Sequence, residues 1–213
     1  MERRSYNEYC GLAKALDFVG ERWTLLVVRD LLLGPLRYSE LLSGLPGITT
    51  NLLAKRLQEM EAHGLVERIG EGARRAYRLT TLGAELEPAV HALGRWGWHR
   101  MRQPPARGEH RSLEWLLVAL RRRRRAGATP ALRAELVADG VPYHIVVSPD
   151  GARIGRGAPD GGAPDIRLRG PASSIAQLFL SGLEQASPPP GLEVEGRPEL
   201  LAPLVEAFAR GEE

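Results

Sequence analysis

Five side chains with hydrogen-bonding ends crowd into one short stretch: Thr49, Thr50, Asn51, Lys55 and Gln58. The chemistry they offer is recognition. An Asn amide can bond adenine at two atoms, Thr can meet a thymine methyl or a phosphate, and Lys can meet guanine or phosphate. Bond-making chemistry is harder to find. The five histidines, at 63, 91, 99, 110 and 144, contain no i, i+4 metal pair. "GARIGRG" has its glycines in the wrong order for a dinucleotide fingerprint and reads as a hairpin. No Ser, His and acid set stands out. The expectation is a protein that is not an enzyme, with no metal and no cofactor.

The five recognition side chains sit in "GITTNLLAKRLQEMEAHGLVER", residues 47–68. Leu52, Leu53, Leu57 and Met60 form one stripe of a 3.6-residue helix. Thr50, Asn51, Ala54, Lys55 and Gln58 form the other side, which is nearly free of acid until Glu59 and Glu61. Thr49 or Thr50 suits the N-cap and Gly64 the C-terminal stop. A shorter helix, Arg37 to Ser43, precedes it across "GLPG". "LVERIG" and "AYRLT" follow as strands, with the "EGARR" loop between them. "CGLAKALDFVGERWTLLVVRDLLLG" adds two helices at the front, broken near Gly20. A longer helix, 81–101, closes the set, with Pro88 kinking or breaking its first half.

That order gives a helix-turn-helix with a two-stranded wing. A helix set after a short turn can lay its exposed side in a major groove. Arg74 and Arg75, at the wing tip, could reach flanking phosphate or minor groove, and Arg37 could hold the backbone. The competing reading is an ordinary amphipathic helix with a solvated face. Charge favours the first: residues 1–104 carry 15 Lys and Arg against 12 Asp and Glu, whereas the remainder is balanced at 14 each. Only Lys14 and Lys55 are lysines, so a single arginine in this Arg-rich chain carries little signal.

No apolar run is long enough for a signal peptide or a membrane span, and the single cysteine cannot form an intramolecular disulfide. A cytoplasmic protein with no membrane partner is expected. The domain boundaries expected are 1–102, a linker at 103–110 ("QPPARGEH"), and 111–213. In the last part, "SLEWLLVAL" reads as a helix with Leu113, Leu116, Leu117 and Leu120 buried. It runs into five arginines at 121–125, better read as a helix end than as a second nucleic-acid site. Strand-like pieces, then the helix "ASSIAQLFLSG", the strand "LEVEG" and a last helix follow. The fold class expected is α+β, a winged helix-turn-helix domain followed by an α+β domain with a mainly antiparallel sheet.

The stretches "RWTLLVVRDLLLGPLRYSELLSGLPGIT", "LLAKRLQEMEAHGLVER", "YRLTTLG" and "ALGRWG" resemble the HxlR family of winged-helix transcription regulators. The resemblance covers residues 10–97. It implies a homodimer on a double-stranded DNA operator, the recognition helix at about 49–63 and the wing at about 70–76. It also implies dimer contact through residues 7–19 and 81–101. Trp96 and Trp98 would serve that contact or pack on the second domain. Two departures are Gly11, where the family usually has proline, and a wing without prolines. Cys10 matches the cysteine that some members use to sense oxidants or electrophiles; its other reading is a small buried hydrophobe.

"DIRLRGPASSIAQLFLSG" and "GLEVEGRPELLAPLVEAF" are similar to the sterol-carrier-protein-like fold. That implies helices over one sheet face and an apolar pocket. Trp115, Leu116, Ile175, Phe179 and Phe208 would line it around a small apolar ligand, or would be plain core. The combined expectation is a ligand-modulated DNA-binding regulator. The alternative is a ligand-binding or carrier protein whose winged helix serves mainly for dimerisation.

Overall fold

The computed structural model describes residues 5–101, 109–122, 131–148, 151–158, 162–181 and 188–208. The chain forms two compact units, residues 1–108 and 109–213. Most of the stretch expected as a linker, and Arg123 to Arg125, lie outside the described residues.

The first unit opens with α1 (Gly11–Val19) and α2 (Thr24–Leu31), then α3 (Tyr38–Gly44) and α4 (Thr50–Ala62). The hairpin β1 (Val66–Ile69) and β2 (Ala76–Leu79) follows, and α5 (Thr81–Ala84) and α6 (Glu87–Trp98) end it. Val27, Val28, Leu31, Leu41, Leu53, Leu57 and Met60 form the shared core. Burying such side chains is worth about 1.5–3 kcal/mol each, which outweighs the modest helix propensity of the β-branched residues in α2. Gly64 leaves α4 at φ +69°, a left-handed turn that favours glycine. The expected 81–101 helix is two helices. Pro88 has no N–H to donate and sits in the first turn of α6, where none is needed.

The hairpin pairs Val66 with Leu79 and Ile69 with Ala76. Its loop holds one 3-10 turn, Gly72–Arg74. Leu36 adds a two-bond bridge to Tyr77, at 3.0 and 2.7 Å, so the start of α3 is laced to the wing. Thr80 locks the far end. Its hydroxyl donates to the Gly64 carbonyl at 2.5 Å and accepts from the Gly83 N–H at 3.1 Å.

The second unit contains α7 (Leu113–Arg122), β3 (Leu132–Ala138), β4 (Val141–Ser148), β5 (Gly151–Arg156), β6 (Ile166–Gly170), α8 (Ala172–Ser181), β7 (Glu193–Gly196) and α9 (Leu201–Glu206). The sheet order is β5-β4-β3-β6-β7. It is mixed, which corrects the expected mainly antiparallel sheet. β6 returns along the free edge of β3 in the same direction, aligning Ala134 with Ile166 and Leu136 with Leu168. The strands alternate, with Leu132, Ala134, Leu136 and Ala138 buried between half-buried neighbours. α7 and α8 pack together on one face of this sheet.

Candidate nucleic-acid interface

Thr49 is the N-cap of α4, settling the choice with Thr50. Its hydroxyl accepts from the Leu52 N–H at 3.3 Å, and its extended backbone starts the helix. The Tyr38 hydroxyl donates to the Thr50 carbonyl at 2.6 Å, tying α3 to the first turn of α4. Arg37 is the exposed N-cap of α3, and its N–H donates to Glu40 at 2.6 Å.

The inner side of α4 is filled by Leu53, Leu57 and Met60, each no more than 1% exposed. Thr50, Asn51, Ala54, Lys55 and Gln58 are all exposed on its other side. The structure therefore brings the five recognition candidates onto one helix, with no core role for Asn51, Lys55 or Gln58. Arg74 and Arg75 are exposed at the wing tip. Among the described residues neither forms an ion pair, whereas Arg68 and Arg78 are held by Glu61 at 2.5 Å and Glu67 at 2.8 Å. Spare cationic charge is thus left at the tip and not along the strands. The Glu61 contact also draws the Arg68 pKa upward.

Sequence reasoning missed Arg56. It lies on α4 between exposed Lys55 and buried Leu57, and it is only 5% exposed. It meets Glu59 at 2.5 Å and Glu21, in the α1–α2 turn, at 3.4 Å. The signal available in the sequence was a cation three residues before an acid; the partner thirty-five positions upstream is a tertiary fact.

Cys10 is exposed at the N-cap of α1, which removes the buried-hydrophobe reading. The backbone N–H groups of Ala13 and then Leu12 draw its thiol below the ordinary value. In the second unit, Ile175, Phe179 and Phe208 are at most 5% exposed. The two phenylalanines meet edge-on at 6.1 Å. Trp115 and Leu116 are only half-buried, so Leu116 does not share the burial of Leu113, Leu117 and Leu120. Trp115 meets the His110 ring at 5.2 Å. Arg121, first of the five arginines, turns into the protein and donates to the Ile154 carbonyl at 2.8 Å. Among the described residues, no group of three or more His, Cys, Asp or Glu could hold a metal. No helix among them is long and apolar enough to cross a membrane.

Three helices, a reading helix capped by Thr49, and a hairpin laced to Leu36 define a winged helix-turn-helix protein. Residues 18–104 match the family model described as HxlR-like helix-turn-helix. The chain is 36% identical over 104 residues to YkvN of Bacillus subtilis, an uncharacterized HTH-type transcriptional regulator, across 47% of this chain and 88% of that protein. It is 38% identical over 86 residues to YvaP of the same organism, also an uncharacterized HTH-type transcriptional regulator, across 39% and 80%. Among solved structures it is similar to quinone-bound YodB from B. subtilis, with 31% identity and a TM-score of 0.37, covering 41% of this chain and 96% of that one. The chain belongs to the HxlR-like helix-turn-helix family. The second unit lies beyond the residues that the family model matches.

Proposed function

We propose that this chain is a sequence-specific, DNA-binding transcriptional regulator acting as a homodimer. α4 enters the major groove with Thr49, Thr50, Asn51, Lys55 and Gln58 toward bases and phosphates. Arg74 and Arg75 meet flanking DNA, and Arg37 meets the backbone. The observation that carries this reading is the outer side of α4, exposed along its length while its inner side is packed core. Membership of a family whose relatives bear the name transcriptional regulator supports it.

Dimerisation is proposed to run through α1 and α6, and their exposed apolar side chains support it. α6 buries no residue fully, and it exposes Leu93 at 54% and Trp96 at 61%. α1 exposes Leu12 at 70%. Two copies would cover this apolar area and read two half-sites about one helical turn apart. Cys10, exposed with an acidified thiol, is the proposed redox-sensing residue. The sterol-carrier-like second unit is proposed to modulate binding through a small apolar ligand near Ile175, Phe179 and Phe208, with Trp115 and Leu116 from α7. Such a ligand acts only by favouring one dimer geometry over another.

The test is selection from random-sequence duplexes, followed by fluorescence-anisotropy titration of the selected duplex against excess unrelated DNA. Competitor-resistant binding with a steep salt slope is expected. Failure to enrich any sequence refutes the assignment.

A further inference from the structure

α4 carries an acid on the helix assigned above to the DNA. Glu59 lies one turn beyond Lys55, and its two carboxylate oxygens serve different neighbours. Oε2 meets Arg56 Nη1 at 2.5 Å, and Oε1 lies 3.9 Å from Lys55 Nζ. Arg56 is itself buried, and its Nη2 is 3.4 Å from Glu21 Oε2. Glu21 stands outside α4, in the turn after α1.

A buried guanidinium must be compensated by acid. That need fixes Glu59 from the inner side of the helix. A carboxylate so fixed leaves its second oxygen toward Lys55, whose side chain is 49% exposed. At 3.9 Å the ammonium is too far for a hydrogen bond. It is well inside a Debye length of about 8 Å, so the acid biases its position without immobilising it. The four formal charges of Glu21, Lys55, Arg56 and Glu59 cancel. Lys55 therefore adds little indiscriminate pull on phosphate, and its remaining use is a directed contact. Specificity is a difference between right and wrong partners, and lowering attraction to the wrong ones increases it.

We propose that Glu59, pinned by Arg56 and Glu21, is a positioning residue that makes Lys55 a base-reading cation instead of a phosphate-binding one. This rests on the DNA-binding reading above.

The experiment uses the full chain and the duplex that the wild type selects from a random pool. Glu59→Gln is expected to lower the affinity ratio between selected and unrelated duplex about tenfold. Binding to unrelated duplex strengthens, and the salt slope steepens by about 0.9 for each additional phosphate neutralised. In a Lys55→Gln background the same change has no effect on ratio or slope. Glu21→Gln, which leaves α4 untouched, moves both in the same direction by less. A wild-type ratio and slope in folded Glu59→Gln overturns the proposal. So does an undiminished effect in the Lys55→Gln background, because Glu59 would then act through Arg56 packing alone. If Glu59→Gln fails to fold by circular dichroism, Glu21→Gln decides: a shift in ratio and slope that Lys55→Gln abolishes supports the proposal, and no shift overturns it. A wild type that selects no duplex sinks the DNA-binding reading and this proposal together, and is distinguished by its independence of any mutation.

Discussion

Replacing Asn51 by Ala separates reading DNA from holding the fold. Asn51 is exposed in the first turn of α4, and its side chain makes no hydrogen bond or ion pair among the described residues. The fold should lose nothing. Ala is the better helix former by about 0.5 kcal/mol, so the melting temperature should hold or rise slightly. On DNA the expectation reverses. An amide bonded to adenine at two atoms discriminates by about 1–3 kcal/mol, or about 5- to 150-fold in affinity. A dimer on a symmetric operator forfeits that pair of bonds in each half-site, giving about 2–6 kcal/mol if the positions add. The assay is anisotropy on the selected duplex and on a set mutated at every position. The weakening should concentrate at one base pair per half-site, and substitutions there should no longer matter to the variant. Uniform weakening across all sequences would assign Asn51 to phosphate. Unchanged binding would refute the assignment of this helix face to DNA.

Three further outcomes follow from the same geometry. Changing Arg74 and Arg75 together to Ala should weaken binding to all duplexes alike, and should flatten the salt slope by about 0.9 for each phosphate that is no longer neutralised; a base-specific effect would contradict a backbone role. Burial raises the Glu114 carboxyl, but hydrogen bonds from Ser112, Tyr143 and its own backbone N–H, with the Arg156 charge, bring it below its ordinary value overall. A carboxyl depressed in the folded state stabilises above its unfolded pKa of about 4.3, and that contribution disappears as pH falls through the folded value. Thermal melts of the full chain should thus show an acid-induced loss of stability that Glu114→Gln flattens, and an identical acid limb in the variant would contradict this. Alkylation of Cys10 by iodoacetamide should have its midpoint below the value of about 8.5 for a free cysteine; a midpoint at or above that value would show that the α1 N–H groups do not act on the thiol.

The helix-turn-helix was legible because its signals are local. The leucine spacing of α4, Thr49 before it and Gly64 after it each act within a turn or two of chain. The outer face was legible by subtraction, since whatever the apolar stripe excludes must face outward. The division of 81–101 was legible at Pro88, because the ring removes a donor wherever it stands. Arg56 was not legible. Its burial depends on Glu21 and on how α1 and α2 meet α4, and no period in the sequence encodes that. The aromatic residues of the second unit were placed more coarsely. Hydrophobicity marks Ile175, Phe179 and Phe208 for an interior, but it does not distinguish a lined pocket from a filled core.

The mixed sheet shows the same division between local and distant information. Alternating burial within β3 and β4 and the tight turn at Asp139 and Gly140 specify a hairpin, and both are written in adjacent residues. Which edge β6 joins is decided by other means. With β5 on the outer edge of β4, the sheet is open at β5 and at β3, and β6 joins at β3. Ile166 and Leu168 must reach the face that α7 and α8 cover, alongside Ala134 and Leu136. The charged side agrees with that register. Arg167 stands beside Glu135 on one flank and Glu195 on the other, at 3.1 Å from the latter, so β6 is fixed between β3 and β7 by matched charges. A one-residue slip would put Arg167 under the helices and Leu168 in water. The observed register satisfies both faces of β6 at once, a condition set by three strands together and by no single stretch of sequence.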